Sequence, residues 1–157
     1  MSVFEKAKSF ARNKHSDQLR KYTFEPYVNH CLNVAQSVSK FTDDQDIWSA
    51  AVLHDTVEDT DATIKDIDAI FGYKIASLVH ELTDLYTKEN YPELNRGERK
   101  FLEAYRLEKI SNEAKLIKYF DIMDNSSTIF SYDTRFAKTY LKEKQFILSY
   151  SLNSLEF

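Results

Sequence analysis

Apolar residues recur three and four positions apart along most of the chain, which is the period of an amphipathic α-helix. Near the N-terminus, Phe4, Ala7 and Ala11 follow this period, and Ser2 stands three positions before Glu5, the spacing of a helix capping box. The same period continues along the sequence and predicts further helices at 26–38, 47–54, 63–71, 75–82, 98–109, 112 to about 125, and 135–150.

Polar segments, together with the few glycines and prolines, mark the breaks between these helices. The segment 16–25 is polar, and Pro26 after it suits the first turn of the second helix. Gly72 stands where another helix is predicted to end, a position that favours glycine. The segment 86–97 is polar and contains Pro92, so we expect a loop there, of a length that is often functional.

Composition supports an all-helical fold. The 157 residues include only two glycines and two prolines, which excludes a glycine-rich phosphate loop and a Rossmann fingerprint and argues against a β-sandwich. Apolar residues make up 43% of the chain and charged residues 29%, as in a globular protein rather than a disordered one. Because no repeat or Gly/Ser linker divides the sequence, we expect a single all-α domain over 1–157.

Net charge and cysteine content limit the kinds of partner and the cellular compartment that we expect. A net charge of −4 argues against general binding to nucleic acid or to an anionic membrane surface. Cys31 is the only cysteine, so neither an internal disulfide nor a thiolate zinc site can form. The N-terminus lacks the apolar core of a signal peptide, and no apolar run is long enough to span a membrane. A cytoplasmic protein is therefore expected.

The densest group of ionisable residues is the segment LHDTVED at 53–59. If the helix before it continues, His54 shares a face with Glu58, and Asp55 shares a face with Asp59, because each pair is four positions apart. An imidazole next to a carboxylate forms a mixed nitrogen and oxygen ligand set, which suits Mn, Fe or Zn. The two further carboxylates could position or deprotonate a water molecule.

Two residues elsewhere favour a metal site over a solvated capping cluster, which is the ordinary explanation of a His–Asp pair at a helix end. His30 lies among apolar residues on a predicted helix, and Asp121 lies between Phe120 and Ile122 on another. A buried charge is costly unless it is paired or bound to a metal. Two histidines and two carboxylates on three helices would complete a metal site with positions open for water or substrate.

The order H…HD…D resembles that of the HD metal-dependent phosphohydrolase superfamily. Several blocks, which together run from about His15 to Asn125, resemble more narrowly the hydrolase domain of the RelA/SpoT family, which includes single-domain small alarmone hydrolases. These blocks are QLRKYTFEPYVNH (18–30), AAVLHDTVEDTDATIKDIDAIFG (50–72), LVHELTD (78–84), ERK (98–100) and KLIKYFDIMDN (115–125).

The resemblance implies roles for individual residues. Glu58 and Asp59 would act on the attacking water and in proton transfer. Arg20 and Lys21 would bind substrate phosphates, and Asn125 would line the nucleotide pocket. The metal, usually Mn²⁺ in this family although another divalent ion is an alternative, would be held by four ligands: His30, His54, Asp55 and Asp121.

The sequence departs from the family pattern at three positions. Phe24 replaces a usual glycine, Ile122 replaces a basic residue, and Asp124 stands where the family has His or Tyr. Asp124 would add a negative charge beside an anionic substrate, which is unfavourable. The family also has a basic residue and an aromatic residue on its last helix, for which the candidates here are Arg135, Lys138 and Tyr140.

The fold and function implied are an all-α HD-domain helical bundle that hydrolyses a nucleotide phosphate ester. The first expectation is a guanosine-3′,5′-bis(diphosphate) 3′-pyrophosphohydrolase. The alternatives are an HD phosphatase or phosphodiesterase acting on another nucleotide, such as NADPH 2′-phosphate or a nucleoside monophosphate, and a nucleotide-binding HD domain without turnover. An exposed apolar face on the tail, 143–157, would indicate a homo-oligomer.

Overall fold

The computed structural model describes residues 1–156, and these contain helices and no strand, which confirms the predicted all-α fold. Phe157, the last residue of the expected domain and tail, lies outside the described residues. The α-helices are α1 (Val3–Lys14), α2 (Val28–Val38), α3 (Gln45–Leu53), α4 (Thr56–Asp59), α5 (Ile64–Phe71), α6 (Tyr73–Leu82), α7 (Arg96–Leu107), α8 (Asn112–Tyr132) and α9 (Thr134–Phe146), followed by a π-helical turn (Ile147–Ser151).

Helix α3 runs through the centre of the main core. Its last four residues, from Ala50 to Leu53, are completely buried, so this helix has no solvent face where it meets the site. Ala7 and Ala11 of α1 are also fully buried, and their small side chains let α1 pack closely on α3. Helices α2, α6 and α8 enclose the remaining sides of the core. The residue after α3, His54, is therefore buried at the end of a segment that has no contact with solvent.

A second, smaller cluster joins the C-terminal part of the described chain to the rest. Ala104 and Leu107 of α7 pack with Ile122 of α8 and with Ile147 and Leu152. This packing places α9 and the π-helical turn against α7 and α8. None of the helices within 1–156 combines the length and the apolar character needed to cross a bilayer.

Local signals account for several helix ends. Ser2 accepts a hydrogen bond from the Glu5 backbone N–H, as predicted. Thr63 and Asp66 form a reciprocal capping box at α5. Gly72 ends that helix with φ +90°, a conformation that side-chain-bearing residues rarely adopt.

Some predicted boundaries were wrong. Helix α2 begins two residues after Pro26, which lies in a bridge with Leu19 rather than inside the first turn. Helix α7 begins at Arg96, because Asn95 forms a capping box that the sequence analysis missed. Helix α8 continues seven residues beyond Asn125, and the last predicted helix is α9 followed by the π-helical turn.

Candidate metal centre

The candidate metal centre lies where α2, the junction of α3 and α4, and α8 converge. His30 is in the first turn of α2, and Asp121 is near the middle of α8. His54 follows α3 directly, and Asp55 precedes α4, so the change of direction between these helices presents two adjacent side chains to one point. These four residues, predicted from the sequence, are brought together by the fold.

Ligand atoms of the four side chains all lie within 4.8 Å of one another. His30 Nε2 is 3.0 Å from Asp121 Oδ1 and 3.5 Å from Asp55 Oδ2. His54 Nε2 is 3.3 Å and 3.1 Å from the same two oxygens. Both imidazoles thus direct the same nitrogen towards the same pair of carboxylate oxygens, as ligands of one shared cation do.

The cluster fits a divalent cation on its own contacts. His54 Nε2 is buried and makes no hydrogen bond of acceptable geometry, despite the two carboxylate oxygens close to it. His30 and His54 are 0% and 2% exposed, and Asp121 is 6% exposed. A buried nitrogen without a hydrogen bond, next to two carboxylates, is unfavourable alone but matches the mixed ligand set of a transition-metal site.

The other ring nitrogen of each histidine, Nδ1, also has a hydrogen-bond partner. His54 Nδ1 donates a hydrogen bond to the carbonyl oxygen of Ala51 at 2.7 Å. His30 Nδ1 lies 2.7 Å from Asp124 Oδ2. Both contacts hold the proton of the ring on Nδ1, so that Nε2 is the nitrogen that would release its proton and bind a metal.

The two carboxylates have partners of their own. Tyr27 donates a hydrogen bond to Asp55 Oδ2 at 2.6 Å. Lys118 Nζ is 3.0 Å from Asp121 Oδ2, and Asn125 Nδ2 donates to Asp121 Oδ1 at 3.1 Å. Tyr27 was not identified from the sequence, although its place three residues before His30 in the matched block 18–30 was a usable signal.

The charges in the cluster favour ionised carboxylates. Burial alone would raise the pKa of Asp55, but the positive charge of His54 and the hydrogen bond to His30 hold it well below its usual range. Burial also opposes ionisation of Asp121, whose pKa is lowered by the charges of Lys118 and His54. Conversely, burial would lower the pKa of His30, but hydrogen bonds to Asp121 and Asp124 raise it to about 10.

Glu58 and Asp59 lie on α4, three and four positions after Asp55, and both are exposed to solvent. The Glu58 carboxylate accepts a hydrogen bond from the backbone N–H of Asp84. Partial desolvation, followed by the negative charges of Asp84 and Asp55, raises the pKa of Glu58 to about 8. Desolvation and the charge of Asp55 raise the pKa of Asp59 to about 6. Carboxyl groups with such values can exchange protons near neutral pH.

A cavity of about 240 Å³ lies beside the cluster, and Arg20, Lys21 and Asn125 line it. Arg20 is only 9% exposed, and its guanidinium lies 3.2 Å from Asp124 Oδ2. Lys21, in contrast, is exposed. Tyr22 and Phe136 add aromatic surface to the cavity. Three residues predicted to bind substrate therefore share one cavity, although Arg20 is already paired.

Asp124, which departs from the family pattern, has partners within the protein that the sequence analysis did not identify. Its carboxylate is directed at His30 and Arg20, so its negative charge is balanced by two protein groups. The expectation that this charge is unfavourable for an anionic substrate stays a prediction, since the ion pair with Arg20 also occupies a cation of the cavity. No local signal could have shown these partners, because Asp124 and His30 are 94 positions apart.

The last helix provides a basic and an aromatic side chain near the cluster. Arg135 and Lys138 are exposed, whereas Tyr140 is 7% exposed and its hydroxyl has no hydrogen-bond partner. Lys144, which the sequence analysis missed, lies with its Nζ 5.1 Å from the centre of the Tyr140 ring. Burial and the charges of Lys118 and Lys100 lower the pKa of Lys144 to about 8. One helical turn separates this pair, a spacing that was visible in the sequence.

Comparison with known proteins gives matches of sequence and of structure. The family described as HD domain matches residues 7–114. Guanosine-3′,5′-bis(diphosphate) 3′-pyrophosphohydrolase MESH1 of Drosophila melanogaster is 43% identical over 119 residues, which are 74% of this chain and 63% of that protein. The guanosine-3′,5′-bis(diphosphate) 3′-pyrophosphohydrolase of Aquifex aeolicus is 35% identical over 139 residues, 88% of this chain and 19% of its own length.

A solved structure described as a metazoan ortholog of SpoT that hydrolyzes ppGpp superposes with a TM-score of 0.85. It is 33% identical, and the match covers 98% of this chain and 87% of that one. A protein of Listeria monocytogenes EGD-e matches with a TM-score of 0.69 at 28% identity, covering 87% of each chain. The chain thus spans most of these solved structures but less than two thirds of the two curated relatives.

Proposed function

Because the chain belongs to the HD-domain family, in its RelA/SpoT-type branch, we propose that it is a metal-dependent phosphohydrolase that acts on guanosine 3′,5′-bis(diphosphate). The reaction is hydrolysis of the bond between the ribose 3′ position and its diphosphate, with release of pyrophosphate. The observation that carries the proposal is the cluster of two histidines and two aspartates, beside a cavity that is lined by cationic residues and by Tyr27 and Asn125, the hydrogen-bond partners of the two aspartates.

The proposed ligands are His30, His54, Asp55 and Asp121, and the proposed ion is Mn²⁺. The two imidazole nitrogens and two carboxylate oxygens suit Mn²⁺, Fe²⁺ or Zn²⁺ better than a hard cation that takes oxygen alone. A bound divalent ion lowers the pKa of a coordinated water and polarises a phosphoryl oxygen. Tyr27, Lys118 and Asn125 would keep the two carboxylates in place during turnover.

Glu58 and Asp59 are the proposed acid–base groups. Both lie on α4, within four positions of Asp55, and reach the solvent from which an attacking water must arrive, and neither belongs to the group of four ligand atoms. The backbone N–H of Asp84 fixes the direction of the Glu58 carboxylate. Glu58 would accept a proton from the water, and Asp59 would assist proton transfer to the leaving oxygen.

Substrate binding is assigned to the cavity beside the cluster. Lys21 is exposed there and would pair with a phosphate, and Arg20 would add positive charge from the wall of the cavity. Asn125 would contact the nucleoside, and the aromatic rings of Tyr22 and Phe136 offer surface for the sugar or base. The cavity therefore offers positive charge for the phosphates of a nucleotide and apolar surface for its sugar or base.

The domain organisation, location and partners that we propose are those expected from the sequence. We propose one domain over 1–157, a cytoplasmic location and a small-molecule nucleotide as partner, with no binding to nucleic acid or membrane. The net charge of −4 and the single cysteine, Cys31, which is buried, support this setting. Self-association stays a prediction, supported by Phe101 and Phe146, which are 58% and 40% exposed and stack on each other.

A nucleotide panel tests the proposal. Metal-free protein is loaded with Mn²⁺ and incubated with guanosine 3′,5′-bis(diphosphate), NADPH and nucleoside monophosphates, and pyrophosphate and orthophosphate are measured separately. We expect pyrophosphate from the guanosine substrate. Orthophosphate from another nucleotide in its place would assign the site to a phosphatase. Binding without product from any of them would indicate a nucleotide-binding domain.

A further inference from the structure

Asp124 contacts both the candidate metal centre and the cavity beside it. Its Oδ2 atom lies 2.7 Å from His30 Nδ1 and 3.2 Å from a terminal guanidinium nitrogen of Arg20. Its Oδ1 atom accepts a hydrogen bond from Asn33 Nδ2 at 3.3 Å. One carboxylate oxygen thus faces a proposed metal ligand and the buried cation of the proposed substrate cavity at the same time.

The side of the ring that Asp124 contacts excludes it as a ligand of the same ion. The other ring nitrogen of His30, Nε2, faces Asp121 and Asp55. The two nitrogens of an imidazole point in different directions, so Asp124 lies behind the ring and outside the group of four ligand atoms. Any effect of Asp124 on a metal must therefore pass through His30.

We propose that Asp124 is a positioning residue shared by the metal centre and the substrate cavity. Through His30 it fixes the proton on Nδ1, so that the Nε2 lone pair is available to a metal. Through Arg20 it holds a cation at the cavity wall. The proposal rests on the proposed function, since it takes His30 as a metal ligand.

The two histidines differ in the group that contacts Nδ1, and His30 is the one that contacts Asp124. His54 Nδ1 is held by a neutral carbonyl, that of Ala51, whereas His30 Nδ1 faces a carboxylate. A charged acceptor orients an imidazole more strongly and makes its other nitrogen a better donor to a metal. We therefore expect the affinity for the metal to depend on the charge of Asp124 and not only on its shape.

Because Arg20 forms an ion pair with Asp124, the effect of Asp124 on the metal has to be separated from the loss of this pair. Among the described residues, the carboxylate that pairs with Arg20 is that of Asp124, and the Arg20 side chain is 9% exposed. Asp124→Asn alone would leave a nearly buried cation without an anion and could destabilise the fold. The double variant Asp124→Asn with Arg20→Gln removes both charges, and so tests the metal affinity of a charge-balanced protein.

The test is Mn²⁺ titration of the metal-free full chain by calorimetry, without substrate. We expect Asp124→Asn and the double variant to raise the Kd for Mn²⁺ about 10- to 100-fold. Asn33→Ala, which removes the contact on the other oxygen, is the matched control and should change the Kd less than about twofold. Arg20→Gln alone should leave the Kd for Mn²⁺ close to that of the original protein but raise KM for the nucleotide.

The outcomes separate this inference from the proposed function. If the original protein binds no divalent ion, both the proposed function and the positioning role of Asp124 are wrong. If it binds Mn²⁺ and the folded double variant binds it within about twofold, Asp124 does not position His30, while the proposed metal site stands. Melting of each metal-free variant, followed by circular dichroism, shows which proteins are folded and can be compared.

Discussion

Lys118 Nζ lies 3.0 Å from Asp121 Oδ2, so this carboxylate is already paired with a cation one turn earlier on α8. Such a pair at i,i+3 is common on helix surfaces and needs no metal. It accounts for only one oxygen, however. The other, Oδ1, lies 3.0 Å from His30 Nε2 and 3.3 Å from His54 Nε2. The second oxygen is the one that we expect to bind the metal.

The first prediction follows from these two oxygens. Asp121→Asn keeps the shape of the side chain and removes its charge, so we expect a strong loss of Mn²⁺ affinity and loss of turnover. Asp68→Asn makes the same substitution at an exposed aspartate on α5, outside the group of four ligands, and is the matched control that should keep metal affinity and turnover within about twofold. If Asp121→Asn lowers the free energy of unfolding by less than about 1 kcal/mol and keeps normal metal affinity and turnover, Asp121 only forms an ion pair with Lys118 and is not a ligand.

The second prediction separates chemistry from metal binding. Glu58 lies outside the group of four ligand atoms, so Glu58→Gln should bind Mn²⁺ as tightly as the original protein. Turnover should fall about 10²- to 10⁴-fold, the usual effect of losing a positioned acid–base group. Calorimetry and pyrophosphate release measure the two properties on one sample. A folded variant that has lost its metal would instead make Glu58 a ligand.

Exposed Glu113 on α8 supplies the control for this change. Glu113→Gln makes the same substitution away from the cluster and should leave turnover within about twofold. An equal loss of activity in both variants would mean that the effect comes from net charge rather than from the position of Glu58.

The third prediction concerns pH and the metal-free protein. The pKa of Glu58 is raised from 4.5 to about 8 in the folded state. A group of this kind contributes stability that is fully present below its unfolded pKa and is lost as the pH rises through its folded pKa. We therefore expect the free energy of unfolding to fall more steeply between about pH 4.5 and pH 8 in the original protein than in Glu58→Gln.

Denaturant unfolding at several pH values checks this slope. The pKa of Asp59 is raised in the same direction, to about 6, but Asp59 is present in both proteins, so the difference between them isolates Glu58. Parallel pH profiles would show that the Glu58 carboxyl titrates normally in the folded protein.

The fourth prediction concerns the loop that carries Arg20. Phe24 has φ +59°, in the left-handed region, and its side chain is 72% exposed. A left-handed conformation costs a residue with a side chain about 1–2 kcal/mol, and glycine avoids this cost at some loss of unfolded-state entropy. Phe24→Gly should therefore raise the free energy of unfolding by about 0.5–1 kcal/mol.

Phe24→Ala distinguishes conformation from side-chain packing. Alanine removes the ring but keeps the Cβ that opposes a positive φ, so its stability should stay close to that of the original protein. An equal gain in both variants would attribute the effect to the exposed ring rather than to the backbone.

The grouping of the four candidate ligands could be predicted from the sequence because its chemistry is concentrated in short blocks. His54 and Asp55 are adjacent, and His30 and Asp121 stand out as ionisable residues among apolar neighbours on predicted helices. The all-α fold followed from the spacing of apolar residues and from the rarity of glycine. Both depend on local patterns, which a single sequence displays.

Other features depend on contacts between distant positions. The orientation of Asp124 towards His30 and Arg20 exists only after α2 and α8 pack together. Buried Glu103 accepts hydrogen bonds from the backbone N–H groups of Leu85 and Tyr86, which fixes the start of the predicted loop to α7. No periodic pattern indicates such tertiary partners.

Helix α8 extends to Tyr132, through a polar segment that the sequence analysis did not include in the helix. Ser126 and Thr128 follow Asn125 and give the sequence a loop-like character. In the structure their hydroxyls donate to the carbonyl oxygens of Ile122 and Asn125, at 2.6 Å and 3.0 Å. These bonds satisfy the hydroxyls within the helix, although such back-bonding does not itself favour helix over loop.

The most direct test of the central claim is pyrophosphate release from guanosine 3′,5′-bis(diphosphate) before and after removal of metal from the same protein sample. We predict that exhaustive chelation, with metal content shown to be near zero, abolishes release, and that Mn²⁺ restores it to the original protein but not to Asp121→Asn. Full turnover by the metal-free protein, or no release by the Mn²⁺-loaded protein, would contradict a metal-dependent hydrolase built on this cluster.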